Sequence, residues 1–179
     1  LLDRRSLLKI GLLSATGIIL QSNGALALLP KTPEKSIKLL NLHTGERLNI
    51  TYFSEGKYIN DSLDEINNLL RDHRTGDVAE MDPSLLDILY KTRKLLGSSE
   101  EFQVISGYRS PKTNAMLNKN TTGVAKKSLH LQGKAVDVVL PGRDLSLLRK
   151  TAMSLKSGGV GYYPDSGFVH LDTGRTRFW

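Results

Sequence analysis

Two short apolar runs, Lys134-Ala-Val-Asp-Val-Val-Leu140 and Phe168-Val-His-Leu-Asp172, each carry ionisable groups at strand spacing. No other feature constrains the fold as tightly. Side chains alternate along a strand, so Val136 and Val138 enter a core while Ala135, Asp137 and Val139 share the other face. Likewise Val169 and Leu171 point one way, and His170 and Asp172 the other. A carboxylate at Asp137, in an otherwise apolar strand, is costly to bury unpaired. A metal ion explains it most simply; a salt bridge to Arg109 is the competing explanation. His130 precedes this strand, and Gly133 permits a sharp reversal between them, so both side chains can reach one ion. His130, Asp137 and His170 together make the nitrogen and oxygen ligand set of a catalytic zinc that keeps one position open. A lone histidine on an apolar strand is ordinarily a satisfied core residue, but here two occur, each with an aspartate nearby.

The motifs around these residues resemble a known family. Ser128, His130, Gly133, Ala135 and Asp137 match the S-x-H-x-x-G-x-A-x-D signature of the zinc D-Ala-D-Ala dipeptidase and carboxypeptidase superfamily, which includes VanX- and VanY-like peptidases and the metal-binding domain of Hedgehog proteins. Ser106-Gly-Tyr-Arg-Ser110 is similar to that family's S-G-[YF]-R-[ST] segment, and Val169-His170 to its last ligand strand. With paired arginines at the N-terminus and Gly167-Phe-Val-His-Leu-Asp-Thr-Gly174, the pattern most resembles the YcbK-like murein endopeptidases. The resemblance covers residues 36–179. It implies a Hedgehog/D-Ala-D-Ala-peptidase-like fold, zinc held by His130, Asp137 and His170, and peptidoglycan as substrate.

The N-terminus reads as an export signal. Arg4-Arg5-Ser-Leu-Leu-Lys9, the apolar run Ile10–Leu20 and Ala25-Leu-Ala27 form a charged region, a short hydrophobic region and a small-residue cleavage site. The paired arginines point to the Tat route and hence to the periplasm. A membrane span needs about 20 apolar residues, and Gln21-Ser-Asn-Gly24 interrupts the run too early, so no stable span remains after cleavage. The expected organisation is a signal peptide over 1–27, a linker over 28–35 and a zinc peptidase domain over 36–179. That domain, of about 150 residues, is one domain's worth of chain and is expected to be monomeric. It lacks cysteine, which removes thiolate metal sites. Net charge is +7 for the whole chain, a balance that favours anionic polymers. No basic helix, zinc finger or aromatic-basic platform suggests nucleic acid.

Along the chain, 36–43 and 46–53 read as a hairpin around Thr44-Gly45. Leu63, Ile66, Leu69 and Leu70 mark one face of a helix over 61–73, with His73 at its C-terminal end. Asp82-Pro83 starts a second helix that Gly97 stops. A strand over 101–107, a short helix over 111–118, the 134–140 strand, a helix from Asp144 to Lys156 and a closing hairpin over 159–172 follow. The Thr/Gly/Lys-rich loop 119–127 is a candidate substrate lip. The expected class is α+β, with helices packed on one face of a mainly antiparallel sheet.

Arg109 follows a strand end and a glycine, from which it projects into a cleft where its guanidinium can stabilise an oxyanion and bind substrate. Ser128 is read as a hydrogen-bonding partner of the substrate, or as a cap on the loop before His130. The dipeptidases carry an acidic residue three positions before the last ligand; here that position is Gly167. Asp172 and Asp165 are the nearby carboxylates. Asp172, on the face of His170, is the expected general base, since its carboxylate there reaches either the reactive water or the surroundings of the metal; if it only orients a ligand, Asp165 or another group is the base. The leading reading is a zinc murein endopeptidase. A D,D-carboxypeptidase or dipeptidase trimming stem peptides, and a non-catalytic zinc-stabilised module that binds peptidoglycan, are its rivals.

Overall fold

Among the described residues the chain builds an eight-stranded sheet in the order β3-β2-β1-β4-β5-β7-β6-β8. The computed structural model describes residues 32–120, 125 and 127–179, and the folded unit runs Thr32–Trp179. The expected signal peptide, residues 28–31 of the expected linker, and residues 121–124 and 126 of the expected substrate lip lie outside the described residues. In chain order the elements are β1 (Lys35–Asn41), β2 (Arg47–Ser54), β3 (Lys57–Tyr58), α1 (Asn60–Leu69), α2 (Pro83–Leu95), β4 (Phe102–Ser106) and α3 (Pro111–Asn120). A 3-10 turn (Leu129–Gln132), β5 (Ala135–Val139), α4 (Leu145–Ser154), β6 (Gly159–Tyr163), β7 (Phe168–Asp172) and β8 (Arg177–Phe178) complete it. The β1–β4 and β6–β8 pairs are parallel, and the other neighbours antiparallel. This is the expected α+β class.

Strand alternation sorts the two faces of the sheet. Ile37, Leu39, Phe102, Val104, Val136, Val138, Val169 and Leu171 are buried with Ile66 of α1, Leu85, Leu86 and Leu89 of α2, and Leu148 and Ala152 of α4. Each fully buried aliphatic side chain contributes about 1.5–3 kcal/mol. A one-residue slip of β5 or β7 would turn those valines and Leu171 outward and drive Asp137 and His170 into the core, so the register is strongly specified. The helices cover one face, and the other is left to Asp137, His170 and Asp172.

Local signals held where they matched tertiary contacts. Asp82 accepts from the Ser84 amide at 2.9 Å, with Pro83 in the first turn of α2. Three details differ from expectation. Helix α1 ends at Leu69 rather than at His73. There the chain turns on Asp72, whose carboxylate accepts from the Arg74 and Ser110 amides at 2.9 and 2.8 Å, offering the backbone an alternative to helix. His73 instead stacks on His43, ring centroids 3.7 Å apart, and burial lowers its pKa, with His43 and Arg74 adding to the effect. At α4, Asp144 occupies the cap position without a side-chain hydrogen bond. Among the described residues no helix is long and apolar enough to cross a membrane.

Candidate metal centre

Strands β5 and β7 are antiparallel neighbours in a register that sets Asp137 opposite His170 and Ala135 opposite Asp172. Two of the expected ligands are therefore side by side by backbone pairing alone. The third arrives through the 3-10 turn. Ser128 caps it, its hydroxyl accepting from the His130 amide at 3.3 Å, and Gly133 ends it in the left-handed region at φ 67°. A Cβ on Gly133 would collide with the Glu80 carbonyl, so only glycine makes this reversal.

The three donor atoms form a tight triangle. His130 Nε2 is 3.2 Å from His170 Nδ1 and 3.3 Å from Asp137 Oδ1, and the last edge, His170 Nδ1 to Asp137 Oδ1, is 2.8 Å. Tetrahedral zinc with arms of about 2.0–2.1 Å separates its ligands by about 3.3 Å, so two edges match and the third would open by about 0.5 Å. His130, Asp137 and His170 are all buried and form a group able to hold a metal ion.

Partners on the far side of each imidazole fix which nitrogen faces the triangle. His130 Nδ1 donates to the Gly107 carbonyl at 2.7 Å, which leaves the Nε2 lone pair inward. His170 Nε2 donates to Asp172 Oδ2 at 3.1 Å, which leaves Nδ1 inward. Burial alone would lower the pKa of His170, but Asp137 and Asp172 outweigh it and raise it to about 8. Burial likewise opposes ionisation of Asp137, yet His130 and His170 hold its carboxyl well below the usual range. The arrangement favours positive charge between fixed carboxylates, and a divalent cation can take the place of the Nδ1 proton.

The triangle belongs to an open cleft of about 400 Å³, whose lining includes Arg109, Lys127, Ser128, Tyr163, Ser166, Phe168, Arg177 and Trp179. Arg109 sits 3.8 Å from Asp137 Oδ2 and donates to the Ser106 hydroxyl at 3.3 Å, while its amide donates to the His130 carbonyl at 3.1 Å. The expected residues Arg109 and Ser128 thus reach the site.

Neither candidate base lines the cleft. Asp172 is fully buried and absent from the cleft lining. Its oxygens accept from His170, from both terminal nitrogens of Arg177 at 3.0 and 2.7 Å, and from the Gly159 and Gly174 amides at 3.1 and 2.8 Å. Asp172 was the expected general base, and these contacts, turned towards His170 and away from the cleft, fit orientation of that ring instead. Asp165 is exposed in the β6–β7 turn and does not line the cleft. Not anticipated from the sequence are the roles of Gly107, whose contribution is a backbone carbonyl, and of the pair Arg177 and Trp179. Two glycines inside β6, Gly159 and Gly161, were the available sign that other groups approach that strand closely.

Comparison with known proteins agrees with the geometry. The family described as peptidoglycan L,D-endopeptidase MepK matches residues 30–179. The chain is similar to peptidoglycan L,D-endopeptidase MepK of Escherichia coli (strain K12), 44% identical over 177 residues, 99% of this chain and 97% of that one. It is also similar to the probable peptidoglycan L,D-endopeptidase MepK of Haemophilus influenzae, 39% identical over 178 residues, 99% of this chain and 95% of the relative. Buried ligand triangle, signature motifs and near-full-length identity lead to one conclusion: the chain belongs to the MepK family of peptidoglycan endopeptidases.

Proposed function

We propose that this protein is a zinc-dependent murein endopeptidase that hydrolyses peptide cross-links of peptidoglycan, at the L,D bond for which its relatives are named. The ligand triangle, lying in an open cleft beside the Arg109 guanidinium, is the observation that carries this reading. When bound, zinc supplies a Lewis acid that polarises the scissile carbonyl and makes water nucleophilic near neutral pH.

The protein's own groups do the rest. The Gly107 carbonyl and Asp172 hold His130 and His170 in the tautomers that present lone pairs to the ion. Arg109 places a planar, permanently charged donor where the carbonyl oxygen becomes an oxyanion. Ser128 holds the His130 turn and offers its hydroxyl to the substrate from the cleft lining. Asp172 is assigned to positioning His170. The paired arginines and apolar run of the N-terminus support Tat export to the periplasm, where this substrate lies.

A non-catalytic peptidoglycan-binding module is the second reading. It is favoured by one observation: among the described residues lining the cleft, Asp137 is the sole carboxylate. Incubating purified sacculi with the zinc-loaded protein and with His130→Ala separates the two. Mass spectrometry of released muropeptides should show products whose new ends define an L,D cleavage, absent with the variant. Binding to sacculi with no released peptide would establish the module instead.

A further inference from the structure

We propose that Trp179 contacts the substrate, its indole joining Tyr163 and Phe168 in an apolar wall for the residue that flanks the scissile bond of the cross-link. This rests on the peptidase reading of the cleft and adds a contact and a ligand chemistry to it.

The wall is built into the fold. Strand β8 pairs with β6, the Trp179 amide donates to the Val160 carbonyl at 3.2 Å, and the Tyr162 amide donates to the Trp179 carbonyl at 2.9 Å. The indole Nε1 donates to the Tyr163 hydroxyl at 2.8 Å, and the Tyr163 ring stacks on Phe168 with centroids 4.7 Å apart. Gly161 makes room: a Cβ there would lie 2.7 Å from two indole carbons, closer than any side chain tolerates. Arg177 stacks on the indole at 4.8 Å, but its charge is committed to both oxygens of Asp172. The ring is thus fixed by its backbone, by its own N–H and by a neutralised neighbour, yet 44% of Trp179 stays exposed. An aromatic ring anchored at its polar end with apolar surface uncovered is the form that recognition surfaces take.

Position decides what lies against it. The indole centroid is 5.4 Å from the His170 ring. An extended residue spans about 3.3–3.6 Å, so a peptide bond brought to the ligand triangle places its neighbouring residue within reach of the wall. The ligand class is therefore the aliphatic part of the flanking amino acid rather than the sugars of the glycan strand. Arg109, Lys127 and Ser128 supply the polar part of the same lining.

Trp179 is the only tryptophan in the chain, so emission excited on the red edge of the indole band, where tyrosine does not absorb, reports this residue alone. Zinc-loaded protein titrated with the product muropeptides should show a saturable change in that emission, and the peptide-free disaccharide should leave it unchanged. Trp179→Ala should raise KM for a soluble cross-linked muropeptide about tenfold, the loss falling on KM more than on kcat, and Trp179→Phe should recover most of it. Zinc content should equal that of the wild type in both variants. An unchanged KM in Trp179→Ala, or emission that answers to the disaccharide and not to the peptide, overturns the proposal while peptide release from sacculi leaves the peptidase reading standing. A wild-type protein that releases nothing overturns both.

Discussion

The Nε2 of His170 donates to Oδ2 of Asp172 at 3.1 Å, on the edge of the ring away from Asp137, whose Oδ1 lies 2.8 Å from Nδ1. One imidazole thus has each nitrogen committed, one to the ion's position and the other to a carboxylate pinned by Arg177 and two backbone amides. The fully buried carboxylate raises the basicity of the ligand and fixes its tautomer. Metal affinity is therefore expected to depend on residues beyond the three that would touch the ion.

The triangle sets stoichiometry. One zinc per chain is expected, and His170→Ala should abolish tight binding, because a three-ligand site has no spare protein donor. Equilibrium dialysis with elemental analysis checks this. Full occupancy in His170→Ala would dismiss the assignment.

Asp172→Asn separates positioning from proton transfer. As a positioning residue, its loss should weaken zinc binding about 10–100-fold, and excess zinc should restore turnover. As a general base, its loss should depress turnover about 10²–10⁴-fold even at saturating zinc. The first outcome is expected, with Asp165→Asn close to wild type, since its turn carboxylate is exposed and outside the cleft lining. Turnover measured against zinc concentration decides.

Arg109 should matter to rate and not to metal. Its guanidinium is 3.8 Å from the nearest oxygen of Asp137, so the ligand does not depend on it for a close hydrogen bond. Arg109→Ala should lower kcat about 10²–10³-fold with zinc content unchanged. Arg109→Lys should restore little, because a point charge lacks the planar fork. Parallel loss of zinc would make the residue structural instead.

The placement of the candidate ligands was legible because strand alternation is local. Asp137 between Val136 and Val138, and His170 between Val169 and Leu171, declare their faces whatever the rest of the chain does. Gly133 likewise announced a reversal, and it has the positive φ that a reversal requires. What stayed hidden depends on long-range pairing or on groups every residue possesses. The Gly107 carbonyl that orients His130 has no side-chain signature. Arg177 and Trp179 matter only because β8 pairs with β6 and brings them back across Gly159 and Gly161. The end of α1 was misread for a related reason: Asp72 finds its partner in Ser110, far along the chain, and the helical pattern through 73 carries no trace of it.

Asp72 also gives the fold a predictable acid response. Burial alone would raise its pKa, but hydrogen bonds from Thr113, Ser110 and Arg74 outweigh that and hold the carboxyl well below its usual range. The unfolded chain titrates this group at about 3.9. A folded pKa below that value means the unfolded state takes up the proton first, so the contribution to stability is complete above about pH 4–5 and is lost as pH falls through the folded pKa. Asp72→Asn should lower stability at pH 7 by about 1–2 kcal/mol, by weakening charge-assisted bonds to two backbone amides. The gap to wild type should narrow steadily below about pH 4. Because the Ser110 hydroxyl in turn caps α3 by accepting from the Thr113 amide at 3.2 Å, and Ser110 adjoins Arg109, the variant should also loosen the segment that carries the cleft guanidinium. Thermal unfolding of both proteins between pH 2.5 and pH 7, a window chosen to bracket the carboxylate range, tests the linkage. A difference in Tm that stays constant across that window would show that Asp72 acts by shape and not by charge.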